Sequence, residues 1–265
     1  MRREPLPRRP VLASAVAAPE AAAPLAAEGR RAGQLETLPE ALWRTAPERS
    51  LSVVCVGAHP DDPESGCGGT LIRYAQAGHR VTVLYLTRGE RGIRGKLLDE
   101  AAAIRTAECR TACEILGARP VFAGQIDGES EASLKRAAEL ARLLEAEQPD
   151  IVFTQWPLDS HMDHLVVSAL TIQAWRQAER KFDLYFYEVD AGEQTVGFAP
   201  TDYVDVTGVR EKKRAALCAH KSQDGEQIYR RHHGPMEQFR GREIGVEAAE
   251  GFILFGPSGR KVRLP

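Results

Sequence analysis

From residue 51 onward the chain alternates short apolar runs with longer amphipathic ones, and this rhythm constrains the fold more than any other feature. Residues 52–56, 81–87, 120–123, 151–156 and 184–189 are rich in Val, Ile, Leu, Phe and Tyr and read as buried strands. Residues 68–78, 99–116, 130–147 and 163–178 between them carry helical patterns, with Gly78 and Gly117 as C-terminal stops. Repeated β-α units imply parallel strands joined by right-handed crossovers. The expected architecture is α/β: a three-layer α/β/α sandwich with a Rossmann-like, mostly parallel sheet. Past Asp190 the rhythm loosens. Residues 203–206 read as an added strand and 209–220 as a helix, and the Gly-rich stretch after them reads as loop.

Residues 1–33 are rich in Ala and Pro and read as a flexible tail; residues 34–265 read as one domain, with a short docking helix at 35–43. Arg2, Arg3, Arg8 and Arg9 precede a short, Ala-dominated run that Pro19 and Glu20 interrupt. The order is that of a degenerate export signal. The shortness of the run favours a cytoplasmic protein, with export as the alternative. Hydrophobic residues make up 43% and charged residues 27% of the 265, as in ordinary globular domains. The formal net charge of −2 gives no reason to expect nucleic acid or an anionic membrane as partner. No apolar run reaches the roughly 18 residues of a membrane helix. The odd count of five cysteines speaks against a disulfide framework, and Cys109 and Cys113, one helical turn apart, read as buried thiols.

Two clusters carry chemistry. Ala58-His59-Pro60-Asp61-Asp62 follows the first strand, at the sheet edge where open α/β proteins bind ligands. An imidazole and one carboxylate there can hold a divalent metal, and the spare carboxylate can handle protons. Asp62 precedes Pro63, so the segment is expected as a fixed turn rather than a helix start. His59 and Asp62 would sit on the metal with Asp61 facing its water; the blander reading has the acids capping the next helix. Gly66, Gly68 and Gly69 follow, but their spacing is not G-x-G-x-x-G, and a tight turn with close packing explains them better than a phosphate site. The second cluster, His161-Met162-Asp163-His164, follows the fourth strand. One of its histidines can ligate the metal while the other faces substrate, and Asp163 can orient an imidazole. Two nitrogens, one oxygen and an open position form a hydrolytic zinc arrangement suited to cleaving an amide.

These residues resemble the LmbE-like, or PIG-L, family of zinc-dependent N-acetylglucosaminyl de-N-acetylases, whose hallmarks are an A-H-P-D-D run and a later H-x-D-H run. The likeness continues through residues 66–71, 87–92, 105–108, Leu116-Gly117 and His220-Lys221-Ser222-Gln223. It implies that His59, Asp62 and His164 ligate the metal, that Asp61 is the general base, that His161 stabilises the oxyanion as a cation, and that Asp163 orients a histidine. It places Arg105 and Asp127 near the sugar. It implies zinc, or iron(II) or another divalent ion, as cofactor and an N-acetylated amino sugar as substrate, and it leaves an oligomer open. The family has an acidic residue directly after the Asp-Asp pair; here Pro63 intervenes and Glu64 follows, a departure that bears on the loop and leaves the ligand set intact. Trp156, Tyr185 and Tyr187 read as core residues, with sugar stacking the lesser alternative. His232 and His233 read as part of a surface loop, because no carboxylate sits at ligand spacing, with a lid or a second metal site as the alternative. Rival readings are a nucleotide-dependent oxidoreductase using the glycine turn, and a non-catalytic sugar-binding relative.

Overall fold

A computed structural model describes residues 49–259 and 264–265; the expected tail at 1–33 and the helix at 35–43 lie outside the described residues. The expected rhythm appears as β1 (Ser52–Gly57), α1 (Asp62–Gln76), β2 (Arg80–Tyr85), α2 (Leu98–Leu116), β3 (Arg119–Phe122), α3 (Leu134–Glu147), β4 (Ile151–Gln155), α4 (Met162–Gln177) and β5 (Asp183–Tyr187). Then come β6 (Asp202–Asp205), α5 (Arg210–Cys218), α6 (Gly225–Ile228), α7 (Gly234–Ile244) and β7 (Ala249–Gly256). The seven strands form one sheet in the order β3-β2-β1-β4-β5-β7-β6. The first five are parallel, and β7 runs antiparallel to both β5 and β6. The fold is the expected mixed α/β sheet flanked by helices.

Side-chain alternation sends β1 residues into two cores. Val53 and Cys55 meet Leu71, Ile72 and Tyr74 of α1 and Cys109, Cys113 and Leu116 of α2. Val54 and Val56 meet Leu140 and Leu144 of α3 and Val167, Leu170 and Trp175 of α4. Tyr185 and Tyr187 are core residues too, and Cys109 and Cys113 are buried free thiols. Strand order reverses between β1 and β4, so the crevice beyond their carboxyl ends is a topological switch point. Both chemistry-bearing clusters leave from those two strands.

Two expectations are corrected. Helix α1 begins at Asp62, six residues before the expected start, so Asp62 lies in the first helical turn rather than in a separate fixed turn. Pro63 is tolerated there because the amide it lacks has no partner within the helix. Gly66 and Gly69 consequently stand inside the helix. A Cβ at Gly66 would lie 2.4 Å from the Glu188 carbonyl oxygen, and one at Gly69 would lie 2.5 Å from Val206 Cγ1. These glycines permit close packing and form no turn. Second, the C-terminal stretch is ordered secondary structure and not loop: α6 runs through a π-turn at Tyr229–His233 into α7, and β7 inserts between β5 and β6. Among the described residues no helix is long and apolar enough to cross a membrane.

Candidate metal centre

The loop leaving β1 turns sharply. Asp61 adopts φ 119° and ψ −32°, a conformation L-residues rarely take, at a cost of about 1–3 kcal/mol. The turn places His59, Asp61 and Asp62 round one point. The His59 amide donates to Asp62 Oδ2 at 2.7 Å, and His59 Nδ1 lies 3.2 Å from the same oxygen. The other ring nitrogen, Nε2, faces away, 3.0 Å from Asp163 Oδ2 and 3.3 Å from Asp127 Oδ1. Burial disfavours a charge on His59, yet Asp62, Asp127 and Asp163 together raise its pKa well above the ordinary value.

The loop leaving β4 supplies the second half. His164, in the first turn of α4, presents Nε2 to Asp62 Oδ1 at 3.4 Å and Nδ1 to Asp159 Oδ1 at 3.2 Å. Burial again opposes the charge, but Asp62 and Asp159 hold this imidazole up at about 9. Asp159 also accepts the His161 amide at 2.8 Å and the Thr195 hydroxyl at 3.0 Å. His161 caps α4, its Nδ1 accepting the Asp163 amide at 3.3 Å. That bond leaves the ring proton on Nε2. Burial and the neighbouring His59 and His164 hold its pKa below the usual value. Asp163 is fixed by the Gly128 amide at 2.8 Å and by the Ser130 hydroxyl. Its pKa stays well below the carboxylate range although burial pushes upward, because His59, Gly128 and Ser130 all stabilise the anion.

The donor set fits a divalent cation. Asp62 offers one oxygen to each of two imidazoles, and each imidazole has a carboxylate behind its far nitrogen. This is how metal-binding histidines are usually oriented and made more basic. The ligand nitrogens of His59, His161 and His164 lie within 4.8 Å of one another, as do ligand atoms of His59, Asp127 and Asp163. Asp127 and Asp163 face His59 Nε2, the nitrogen directed away from Asp62.

Asp61 stands beside this group. Arg105 Nη2 lies 3.0 Å from Asp61 Oδ2 and also donates to the Pro60 carbonyl. Burial raises the Asp61 pKa, against the pull of Arg105. Arg105 is 3% exposed and packs beneath Gly89 and Gly92, where a Cβ would collide with its guanidinium. Asp127 Oδ2 accepts the Arg91 amide at 3.0 Å. Both expected sugar contacts therefore have protein partners, although both still border a cavity of about 580 Å³ above the cluster. This volume lies within the range of small-ligand pockets. His59, Asp61, Asp62, His161 and His164 line it, and so does Arg91.

Asp159, His232 and His233 were not assigned to the site from sequence. Asp159 belongs to it through His164, and its only signal was its place two residues before His161. His232 and His233 are not in a surface loop: they lie in the π-turn, both line the cavity, and His233 is 3% exposed. His232 Nδ1 faces Asp190 Oδ2 at 3.4 Å.

Comparison with known proteins agrees with this geometry. Residues 54–175 match the family model described as PIG-L, GlcNAc-PI de-N-acetylase. The chain is 31% identical over 192 residues to diacetylchitobiose deacetylase of Thermococcus kodakarensis, covering 67% of this chain and 72% of that protein. It is 32% identical over 198 residues to the uncharacterized deacetylase YaiS of Escherichia coli, covering 71% of this chain and 99% of that protein. Among solved structures, N,N'-diacetylchitobiose deacetylase from Pyrococcus horikoshii, in complex with its inhibitor MPG, superposes with a TM-score of 0.69 at 26% identity, covering 82% of this chain and 89% of that one. The strand-end clusters, their shared cavity and these likenesses together identify the chain as a member of the PIG-L, or LmbE-like, family of deacetylases.

Proposed function

We propose that this chain is a metal-dependent hydrolase that removes the acetyl group from an N-acetylglucosamine-type sugar or glycoconjugate. The observation that carries the reading is the pair of backed imidazoles: His59 and His164 turn their near nitrogens to Asp62 while Asp163 and Asp159 stand within 3.0 and 3.2 Å of the far ones. His59, Asp62 and His164 are the residues that would hold the ion. Two nitrogens and one oxygen suit zinc, and iron(II) accepts the same donors. A divalent ion there supplies Lewis-acid polarisation of the acetyl carbonyl and acidifies the attacking water.

The chain's own groups do the rest. Asp61 borders the cavity with its carboxylate anchored by Arg105, and its upward-shifted pKa suits a general base. It takes a proton from the attacking water as the oxygen adds to the carbonyl carbon. His161 donates from Nε2 to the oxyanion that develops. When the C–N bond breaks, Asp61 returns the proton to the departing amine, and the products are acetate and the free amino sugar. Asp163 orients His59. Arg105 and Asp127 act by holding Asp61 and His59.

The test is acetate release from a panel of N-acetylated glycosides, before and after chelation and after adding back zinc or iron(II). Release that chelator abolishes and metal restores is the expected result. Undiminished release after complete chelation would overturn metal dependence. A bound metal with no release from any N-acetyl sugar would favour the sugar-binding alternative.

A further inference from the structure

The strained backbone of Asp61 is held from behind by a buried network. The Asp61 amide donates to Glu64 Oε2 at 3.2 Å. The other oxygen, Glu64 Oε1, lies 3.0 Å from His220 Nε2 and accepts the Tyr85 hydroxyl at 2.7 Å. Glu64, His220 and Tyr85 are each 0% exposed. A glutamate in the first turn commonly reaches back to the amide preceding a helix, but in ordinary capping the preceding residue has an extended backbone. Here its φ is 119°.

His220 comes from a distant segment that is itself pinned. The Ser222 amide and hydroxyl both donate to Glu108 of α2, at 2.8 and 2.6 Å, and Gln223 Nε2 donates to the Gly92 carbonyl at 3.0 Å. Among the described residues the buried Nδ1 of His220 has no hydrogen-bond partner. A buried imidazole left half-satisfied calls for an explanation. Its one polar contact of this kind is with the carboxylate that grips Asp61. Arg105 fixes the Asp61 carboxylate, and Glu64 fixes its amide.

We propose that Glu64 and His220 form a positioning pair for Asp61, clamping its backbone in the left-handed turn so that its carboxylate stays directed into the cavity. This rests on the reading of Asp61 as the general base. Neither residue lines the cavity, so the pair acts through Asp61 and not on substrate.

The experiment measures kcat, KM and zinc content for H220A, H220Q, E64Q, the double variant E64Q/H220A and D61N, on an N-acetylated glycoside that the wild type hydrolyses. H220A and E64Q are expected to lower kcat about 10- to 100-fold, the effect of a misplaced reacting group, with KM and zinc content unchanged. H220Q, which can present an N–H near the position of Nε2, is expected to recover part of the loss. The double variant is expected to be no slower than E64Q, because the two residues act as one unit. Wild-type kcat in H220A and E64Q beside an inactive D61N would overturn the positioning pair and leave the base reading standing. An active D61N would overturn the base reading and the pair with it. Loss of zinc in H220A would also overturn the proposal, by showing that the network serves the metal ligands instead. Should E64Q fail to fold, H220A and H220Q leave Glu64 in place and decide the question.

Discussion

The two edges of the sheet handle buried charge in opposite ways. At the edge where the strands begin, two buried acids, Asp150 and Glu147, are each matched with an arginine. Asp150 meets Arg49 at 2.7 Å and accepts the Ser52 amide at 2.9 Å. Glu147 meets Arg119 at 2.6 Å and accepts the Thr82 hydroxyl at 2.9 Å. At the edge where β1 and β4 end, Asp61, Asp62, Asp127, Asp159 and Asp163 gather round histidines, and Arg105 is the guanidinium that meets one of these carboxylates, that of Asp61. Carboxylates without matching cations are costly to bury. The first edge satisfies its own charges and contributes stability. The second gathers acids in excess of permanent side-chain cations, a donor set that fits a positive ion.

The largest expected break in this comparison is Asp61→Asn. It should lower kcat by about a thousandfold, within the usual range for a general base, while zinc content holds. Near-normal turnover would remove Asp61 from the chemistry. Next comes Asp163→Asn, which weakens the support behind His59. Zinc affinity, followed by competition with a chelating dye, should fall about 10- to 100-fold. Its counterpart at the opposite edge, Asp150→Ala, should leave zinc affinity alone and cost about 1–3 kcal/mol in urea unfolding, because the Ser52 amide loses its acceptor. If both substitutions moved the same observable, the two edges would not differ as described.

The smallest effect concerns pH. Burial would raise the Glu147 pKa, but Arg119, Thr82 and Arg80 more than offset it and hold the carboxyl below its ordinary 4.5. A carboxyl lowered by folding contributes stability that is complete above the unfolded-state value and is lost as pH falls through the folded one. The stability gap between wild type and Glu147→Gln should therefore narrow as pH drops below about 4.5. A gap that stayed constant between neutral and strongly acidic solution would contradict that assignment.

The parallel half of the sheet was legible because strands buried on both faces read as nearly continuous apolar runs, as β1 and β4 do. The start of α1 was not, because Pro63 signals a break by its restriction of the preceding residue and a helix start by its missing amide, and the sequence offers both readings. Strand β7 was hidden for a different reason. Its partners Tyr185 and Asp202 lie far away in sequence, and Glu250 and Gly251 interrupt its apolar pattern. In the site, His59, Asp62, His161 and His164 were visible as motifs. Their wiring was not: that Asp163 meets His59, across two loops, and that Asp159 lies against His164 are facts of tertiary contact. Arg105 was expected near a sugar; it borders the cavity and also grips Asp61, a contact that nothing local in sequence announces, since a buried arginine reads there like an exposed one.

The most direct measurement is the zinc content per chain of the purified wild type, after equilibration with zinc and desalting, beside that of the triple substitution His59→Ala, Asp62→Ala and His164→Ala. One tightly held ion in the wild type and none in the variant is the predicted result. An ion that persists in the variant, or a wild type that retains none, would contradict the account.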